Sequence, residues 1–216
     1  MGGLLSAGSL TFQESLKELS PDPNETKVVV DFKFTNKTDK PVNITRFDGG
    51  CSCVSVQLSD GKRVYAPGES GVLRANFEVG TFSGTVDKVV ALWLEGDPED
   101  TPSERVTLRV HIPVVVEVEP KTLKWKIGEK LEPQTVKITM NGDKPTHILE
   151  VNGNSDAFSH QLKTIEDGRK YELVITPNST EATKLGGFRI KTDSSVTRQA
   201  IQQVFAMVNR PAPEKK

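Results

Sequence analysis

Val106-Thr107-Leu108-Arg109-Val110-His111-Ile112-Pro113-Val114-Val115-Val116-Glu117-Val118 is apolar at every second position. Val106, Leu108, Val110, Ile112, Val114, Val116 and Val118 share one face, while Thr107, Arg109, His111 and Glu117 occupy the other. Successive side chains on a strand point to opposite faces, so the pattern predicts a strand with one buried and one wet side. The same period recurs upstream. Val28, Val30, Phe32 and Phe34 alternate with Asp31, Lys33 and Thr35, and Leu73, Ala75, Phe77 and Val79 with Arg74, Asn76 and Glu78. No stretch shows helical spacing over three turns.

Turn residues separate these runs. Asn36-Lys37-Thr38-Asp39-Lys40-Pro41 divides two strands. Pro67-Gly68 suits the centre of a type II turn, since proline fixes φ and glycine accepts positive φ. Asp60-Gly61, Asn141-Gly142 and Asp167-Gly168 are further tight-turn signals. The acidic, proline-containing stretch from Gly96 to Ser103 reads as an exposed loop. Thr197 to Val208 is taken as a final strand, from the alternation of Val204, Ala206 and Val208.

An internal echo divides the chain. Asp39-Lys40-Pro41-Val42-Asn43-Ile44 recurs as Asp143-Lys144-Pro145-Thr146-His147-Ile148, and around it Phe34 matches Ile138, Phe47 Val151 and Gly49 Gly153. Further on, Leu73, Ala75 and Phe77 are echoed by Tyr171, Leu173 and Ile175. A repeat of about 100 residues, with about seven short strands in each copy, has the size of an immunoglobulin-like sandwich. The fold class expected is therefore all-β, with two tandem antiparallel immunoglobulin-like β-sandwiches. The first domain is set at 9–118 and a degenerate second copy at 119–210, with the boundary near Glu119-Pro120 and a disordered tail at 211–216.

Composition narrows the function classes. Lys and Arg total 28 against 29 Asp and Glu, for a net charge of -1. That balance offers no basic surplus to displace counterions from a phosphate backbone, which argues against nucleic acid as a partner. No apolar run approaches the roughly 18 residues of a membrane span. No His-Glu-x-x-His, phosphate loop, nucleophile elbow or dinucleotide fingerprint occurs, so no catalytic residue is named and no cofactor is expected. Trp93 and Trp125 are read as packing residues.

The one chemically pointed element is Cys51-Ser52-Cys53, which holds the only two cysteines. In the echo these align with Ser155 and Ala157, so the fold position does not itself demand thiols. Residues i and i+2 of a regular strand lie about 6.5–7 Å apart at Cα, too far for a disulfide without a tight turn or bulge. Parity with Val54, Val56 and Leu58 places Cys51, Cys53, Ser55 and Gln57 on the wetter face, unless Gly49-Gly50 forms a bulge. Three readings stay open: a structural pair or unusual bridge, a two-thiolate site for a soft metal such as Cu(I) or Zn, and thiol chemistry. His111, His147 and His160 show no ligand spacing with the cysteines or one another.

Phe32-x-Phe34-x-Asn36, Lys40-Pro41-x-x-Ile44, Cys51-x-Cys53, Pro67-Gly68-Glu69 and Gly84 together resemble a bacterial family of unknown function. Its members are exported immunoglobulin-like domains marked by a Cys-Gly-Cys triplet and a following Pro-Gly turn. More distantly the pattern is similar to PapD-like and major-sperm-protein-like sandwiches. The resemblance covers about residues 9 to 118, and it departs at Ser52, where the family usually has glycine. It implies export to the periplasm or cell surface, although Met1 to Leu5 lacks the basic start and apolar core of a signal peptide.

The expectation is a non-enzymatic interaction or structural module of the cell envelope whose partner is another protein. The alternative is a soft-metal or thiol-active binding protein working through Cys51 and Cys53. An exposed apolar edge strand in the first domain would favour the former; charged, bulged edges throughout would count against it.

Overall fold

The computed structural model describes residues 9–210, so the tail expected at 211–216 lies outside the described residues. The chain divides into two compact units, the first ending at Pro113 and the second beginning at Val114.

In the first unit the strands are β1 (Leu10–Phe12), β2 (Leu16–Leu19), β3 (Lys27–Asn36), β4 (Val42–Asp48), β5 (Val54–Leu58), β6 (Val64–Tyr65), β7 (Ser70–Glu78), β8 (Gly84–Leu94) and β9 (Glu104–Ile112). One sheet runs β1-β3-β7-β5 and the other β2-β9-β8-β4-β6. The alternation seen in sequence decides which residues meet between them. Phe32, Phe34, Leu73 and Phe77 project from the first sheet, and Ile44, Leu92 and Leu108 from the second, into one core. Fully burying such side chains stabilises the fold by about 1.5–3 kcal/mol each, before chain entropy is counted.

The second unit contains β10 (Val116–Glu119), β11 (Thr122–Lys126), β12 (Gln134–Met140), β13 (Ile148–Gly153), β14 (Phe158–Glu166), β15 (Lys170–Pro177), β16 (Lys184–Thr192) and β17 (Ile201–Asn209). Its sheets run β10-β12-β15-β14 and β11-β17-β16-β13. Apart from β6, this is the strand order of the first unit. The core is built on Trp125, Ile138, Leu173, Phe188, Val204 and Val208. A 3-10 turn at Thr197–Gln199 precedes β17, so the last strand is shorter than the sequence reading made it.

Both units are immunoglobulin-like sandwiches, but their sheets are not wholly antiparallel. β2 runs parallel to β9 and β11 parallel to β17. The reason is that the opening segment of each unit changes sheets. β1 pairs antiparallel with β3, then the chain crosses and β2 joins the opposite sheet; β10 and β11 repeat this, with the cis Glu119–Pro120 peptide between them.

The stretch 106–118 also needs correction. It is two strands, not one: β9 ends at Ile112, and Val116 and Val118 in β10 are buried in the second core. Pro113 has no amide hydrogen for the ladder, so the strand cannot run through it. Parity survives the break on both sides, which is why sequence alone joins the halves and sets the boundary at Glu119-Pro120.

Gly61, Gly68 and Gly168 take positive φ at the turns named for them, while Gly142 does not. Gly68 has φ 78°, and the Glu69 N–H donates to the Ala66 carbonyl at 2.9 Å. In the acidic loop, the Asp97 carboxylate accepts the Leu94 and Ser103 amides at 2.8 and 3.0 Å. That carboxylate is occupied in fastening its own loop.

Candidate functional site

β4 ends at Asp48, whose side chain accepts the Gly50 amide at 2.8 Å. Gly50 sits at φ 73°, and the Val54 N–H then donates to the Cys51 carbonyl at 3.1 Å. This turn brings Cys51 and Cys53 to a Cα separation of 5.2 Å, and their sulfurs are bonded. An extended pair would stand about 6.5–7 Å apart, so the turn supplies the shortening that a bridge requires. No non-glycine residue has positive φ among the described residues, so Ser52 bears no left-handed strain. The left-handed position falls on Gly50 instead, and the departure from the family's glycine carries no backbone cost.

The turn also corrects the parity reading. Ser55 and Gln57 are exposed as expected, but Cys51 and Cys53 are half-buried and pack against the first core. Strand alternation starts only at Val54, so it cannot be extended backwards through the turn. As a disulfide, neither sulfur carries the thiolate that a soft cation needs. No group of three or more His, Cys, Asp or Glu side chains suited to a metal occurs among the described residues. The histidines sit apart: His111 meets Glu18 at 3.1 Å, His147 meets Asp193 at 3.0 Å, and the His160 ring packs edge-on against Phe188. The hydrogen bond to Asp193 holds His147 above the ordinary imidazole range.

Opening the bridge will have a modest effect. The closed loop is only three residues long, and the chain-entropy relation gives about 1.5 kcal/mol for it. The Cys51→Ser/Cys53→Ser variant is therefore expected to fold, with an unfolding free energy from urea titration lower by that amount. A loss above about 3 kcal/mol would show that the turn holds the first core in place by more than loop closure.

Directly after the turn comes β5, the edge of its sheet. The Cys53 carbonyl accepts the Glu78 amide at 2.9 Å, and the Ser59 amide donates to the Val72 carbonyl at 3.0 Å. In an antiparallel ladder these bonds alternate, so Cys53, Ser55, Gln57 and Ser59 turn their backbone groups to β7. Val54, Val56 and Leu58 turn theirs to the open side. Two of those outward groups are used locally: the Val54 amide on Cys51, and the Leu58 carbonyl, which accepts the Gly61 amide at 3.0 Å. Among the described residues the Val54 carbonyl, the Val56 amide and carbonyl, and the Leu58 amide remain as an open row.

Every other edge strand is blunted. β1 and β6 have three and two residues. β2, β10 and β11 carry charged side chains. β13 carries Glu150 and a register shift at Ile148/Glu150, and β14 carries Lys163 and one at Thr164/Glu166. Charges, bulges and brevity are the devices that protect sheet edges. Among the described residues, β5 alone of the longer edges has none of them. Alternation could not single it out, because pattern shows that a segment is a strand and not where it lies in the sheet. The lack of charge from Val54 to Leu58 was the available signal.

An immunoglobulin-like sandwich with a Cys-x-Cys disulfide at the start of an open edge strand is the class defined by this geometry. Residues 10–111 match the model of a family described as "Protein of unknown function (DUF1573)". The resemblance seen in the order of sequence motifs falls on the same residues. No curated protein matches the chain in sequence. Among solved structures it is similar to a protein of unknown function from Porphyromonas gingivalis W83, at 14% identity and a TM-score of 0.37, covering 93% of this chain and 99% of that one. It is also similar to the CupB2 chaperone of Pseudomonas aeruginosa, at 12% identity and a TM-score of 0.33, covering 90% and 98%. A PapD-like domain of human CEP192 aligns at 8% identity and a TM-score of 0.37, covering 48% of this chain and 84% of that one.

Proposed function

We propose that this protein is a non-catalytic interaction module of the bacterial cell envelope, which holds another protein by strand addition along β5. The carrying observation is the contrast between edges: β5 is unbulged and uncharged, with an open row of backbone groups, while the other long edges are protected. Backbone groups of this kind supply affinity to an added strand, and the alternating side chains supply selectivity. A bridged Cys51–Cys53 pair fits an oxidising compartment such as the periplasm or cell surface. No helix among the described residues is long and apolar enough to cross a membrane.

The test is a photo-crosslinking side chain at the exposed Gln57, used in the producing bacterium, with Lys124 of β11 as control. A discrete adduct from position 57 and none from position 124 is the expected result. Failure of position 57 to give an adduct would sink the reading.

A second reading is thiol exchange at Cys51 and Cys53, favoured by the half exposure of both residues. An attacking thiolate would form a mixed disulfide with one sulfur and release the other as thiolate. Soft-metal binding would require that reduced pair. Labelling of both cysteines in freshly isolated envelope without a reductant would support this reading; complete resistance to labelling would remove it.

A further inference from the structure

We propose that β5 pairs with β5 of a second copy of this chain, antiparallel about a two-fold axis at Val56. This rests on the strand-addition reading of the same edge and names its occupant. The geometry of the open row carries it. Reading outward from β5, the free groups are the Val54 carbonyl, the Val56 amide, the Val56 carbonyl and the Leu58 amide. Their two would-be companions, the Val54 amide and the Leu58 carbonyl, are consumed within the chain.

Under a two-fold axis at Val56 the four remaining groups complement themselves. Each Val56 exchanges both bonds with Val56 of the second copy, as a hydrogen-bonded antiparallel pair does. Each Leu58 amide meets the Val54 carbonyl of the second copy, so every open donor finds an open acceptor. The two groups consumed internally are those that would have met each other across the same axis. A shift of register by two residues in either direction would place at least one open group against a spent one.

The side chains agree with that register. Ser55 falls opposite Gln57 of the second copy, on the exposed face, and Val54 falls opposite Leu58. No charge opposes a like charge along the row. Gly49 lets the turn pack directly onto Val54, since a Cβ there would lie 2.7 Å from the Val54 Cβ and 2.8 Å from its carbonyl oxygen. The interface is isologous, so it closes at two copies and does not extend into fibres. Joining two four-stranded sheets at their edges covers little surface, so the dimer is weak and concentration-dependent.

The experiment is sedimentation velocity over rising concentration, on the full chain and on two double variants at exposed positions. For the unsubstituted chain the weight-average mass is expected to climb toward twice that of the monomer. Ser55→Lys/Gln57→Lys sets lysine against lysine at both outer pairs, and its mass should stay monomeric. Ser55→Glu/Gln57→Lys sets opposite charges across the same pairs, and it should dimerise at least as well as the unsubstituted chain. Both variants keep the core intact, and a matching urea midpoint confirms their folding. A dimer indifferent to these substitutions, or a chain monomeric throughout, overturns self-pairing. In the monomeric case, an adduct from Gln57 to a different protein would leave the interaction module standing with a foreign strand. Absence of both dimer and adduct would remove the two readings together.

Discussion

Trp125→Ala will destabilise the second domain by about 3–5 kcal/mol. The side chain is 2% exposed, lies 5.8 Å from the Phe158 ring between centroids, and donates its indole N–H to the Glu132 carbonyl at 2.9 Å. The hydrogen bond is the smaller part of the loss, because the exposed Glu132 backbone can turn to water. The cavity decides the magnitude, since β12, β15 and β17 are held apart by their neighbours and cannot collapse onto the vacated space. The chain has only two tryptophans, and the other, Trp93, belongs to the first unit. The variant therefore fluoresces from the first domain alone, while hydrogen exchange at β12 and β15 reports on the second. Those amides should lose protection by about two to four orders of magnitude, the equivalent of the predicted loss. Protection within about tenfold of the parent chain would show that Trp125 does not hold that core.

Trp125 also marks how far the sequence could be read. Period-two alternation assigned inner faces to Val28–Phe34, Leu73–Val79 and Val106–Ile112, and those residues are the first core. It had no means of ranking one buried tryptophan over another. Trp93 is 8% exposed and lies outside the main core cluster, with the Arg46 guanidinium 3.6 Å from its ring centroid. The echo of Leu73, Ala75 and Phe77 in Tyr171, Leu173 and Ile175 shows a related limit. In the sheets, Phe32 stands opposite Leu73 and Val136 opposite Leu173. Carrying Phe34 onto Ile138, as the echo requires, carries Phe32 onto Val136 and therefore Leu73 onto Leu173. The sequence alignment of those segments is two residues out. A slip of two keeps every side chain on its own face, so hydrophobic pattern cannot detect it.

The site was legible in part for similar reasons. Spacing correctly required a turn before Cys51 and Cys53 could bridge, and Gly49-Gly50 marked where it could form. Whether the chain closes that turn depends on bonds between Asp48, Gly50, Cys51 and Val54 that no spacing rule contains. The open edge was less legible still. Its exposure depends on which strands neighbour β5, and that is a property of the whole sheet.

Asn36→Ala is expected to cost the first domain about 3–5 kcal/mol, although it removes only a small polar group. Asn36 is 0% exposed. Its Nδ2 donates to the Lys40 and Tyr65 carbonyls at 2.8 and 2.9 Å, and its Oδ1 accepts the Thr38 amide and hydroxyl at 2.9 and 2.7 Å. Its backbone carbonyl accepts the Gly68 amide at 2.8 Å, and its amide donates to Glu69. One residue thus ties the β3–β4 turn to β6 and to the turn before β7. Alanine keeps the backbone bonds and abandons the side-chain ones, leaving the Tyr65 carbonyl without its donor in a buried setting. Each group orphaned in this way costs about 1–3 kcal/mol, more than the net worth of the bond when made. A chemically conservative change sharpens the test. Asn36→Asp offers a carboxylate to two carbonyl oxygens that need donors, so at neutral pH it should be at least as damaging as alanine. Acidification should narrow its deficit, because a protonated carboxyl can donate to one of them. Urea midpoints for the parent chain and both variants, at neutral and acid pH, decide the matter. If Asn36→Asp matches the parent chain at neutral pH, the amide is a spectator and the turn owes its form to Lys40-Pro41 and Pro67-Gly68 alone.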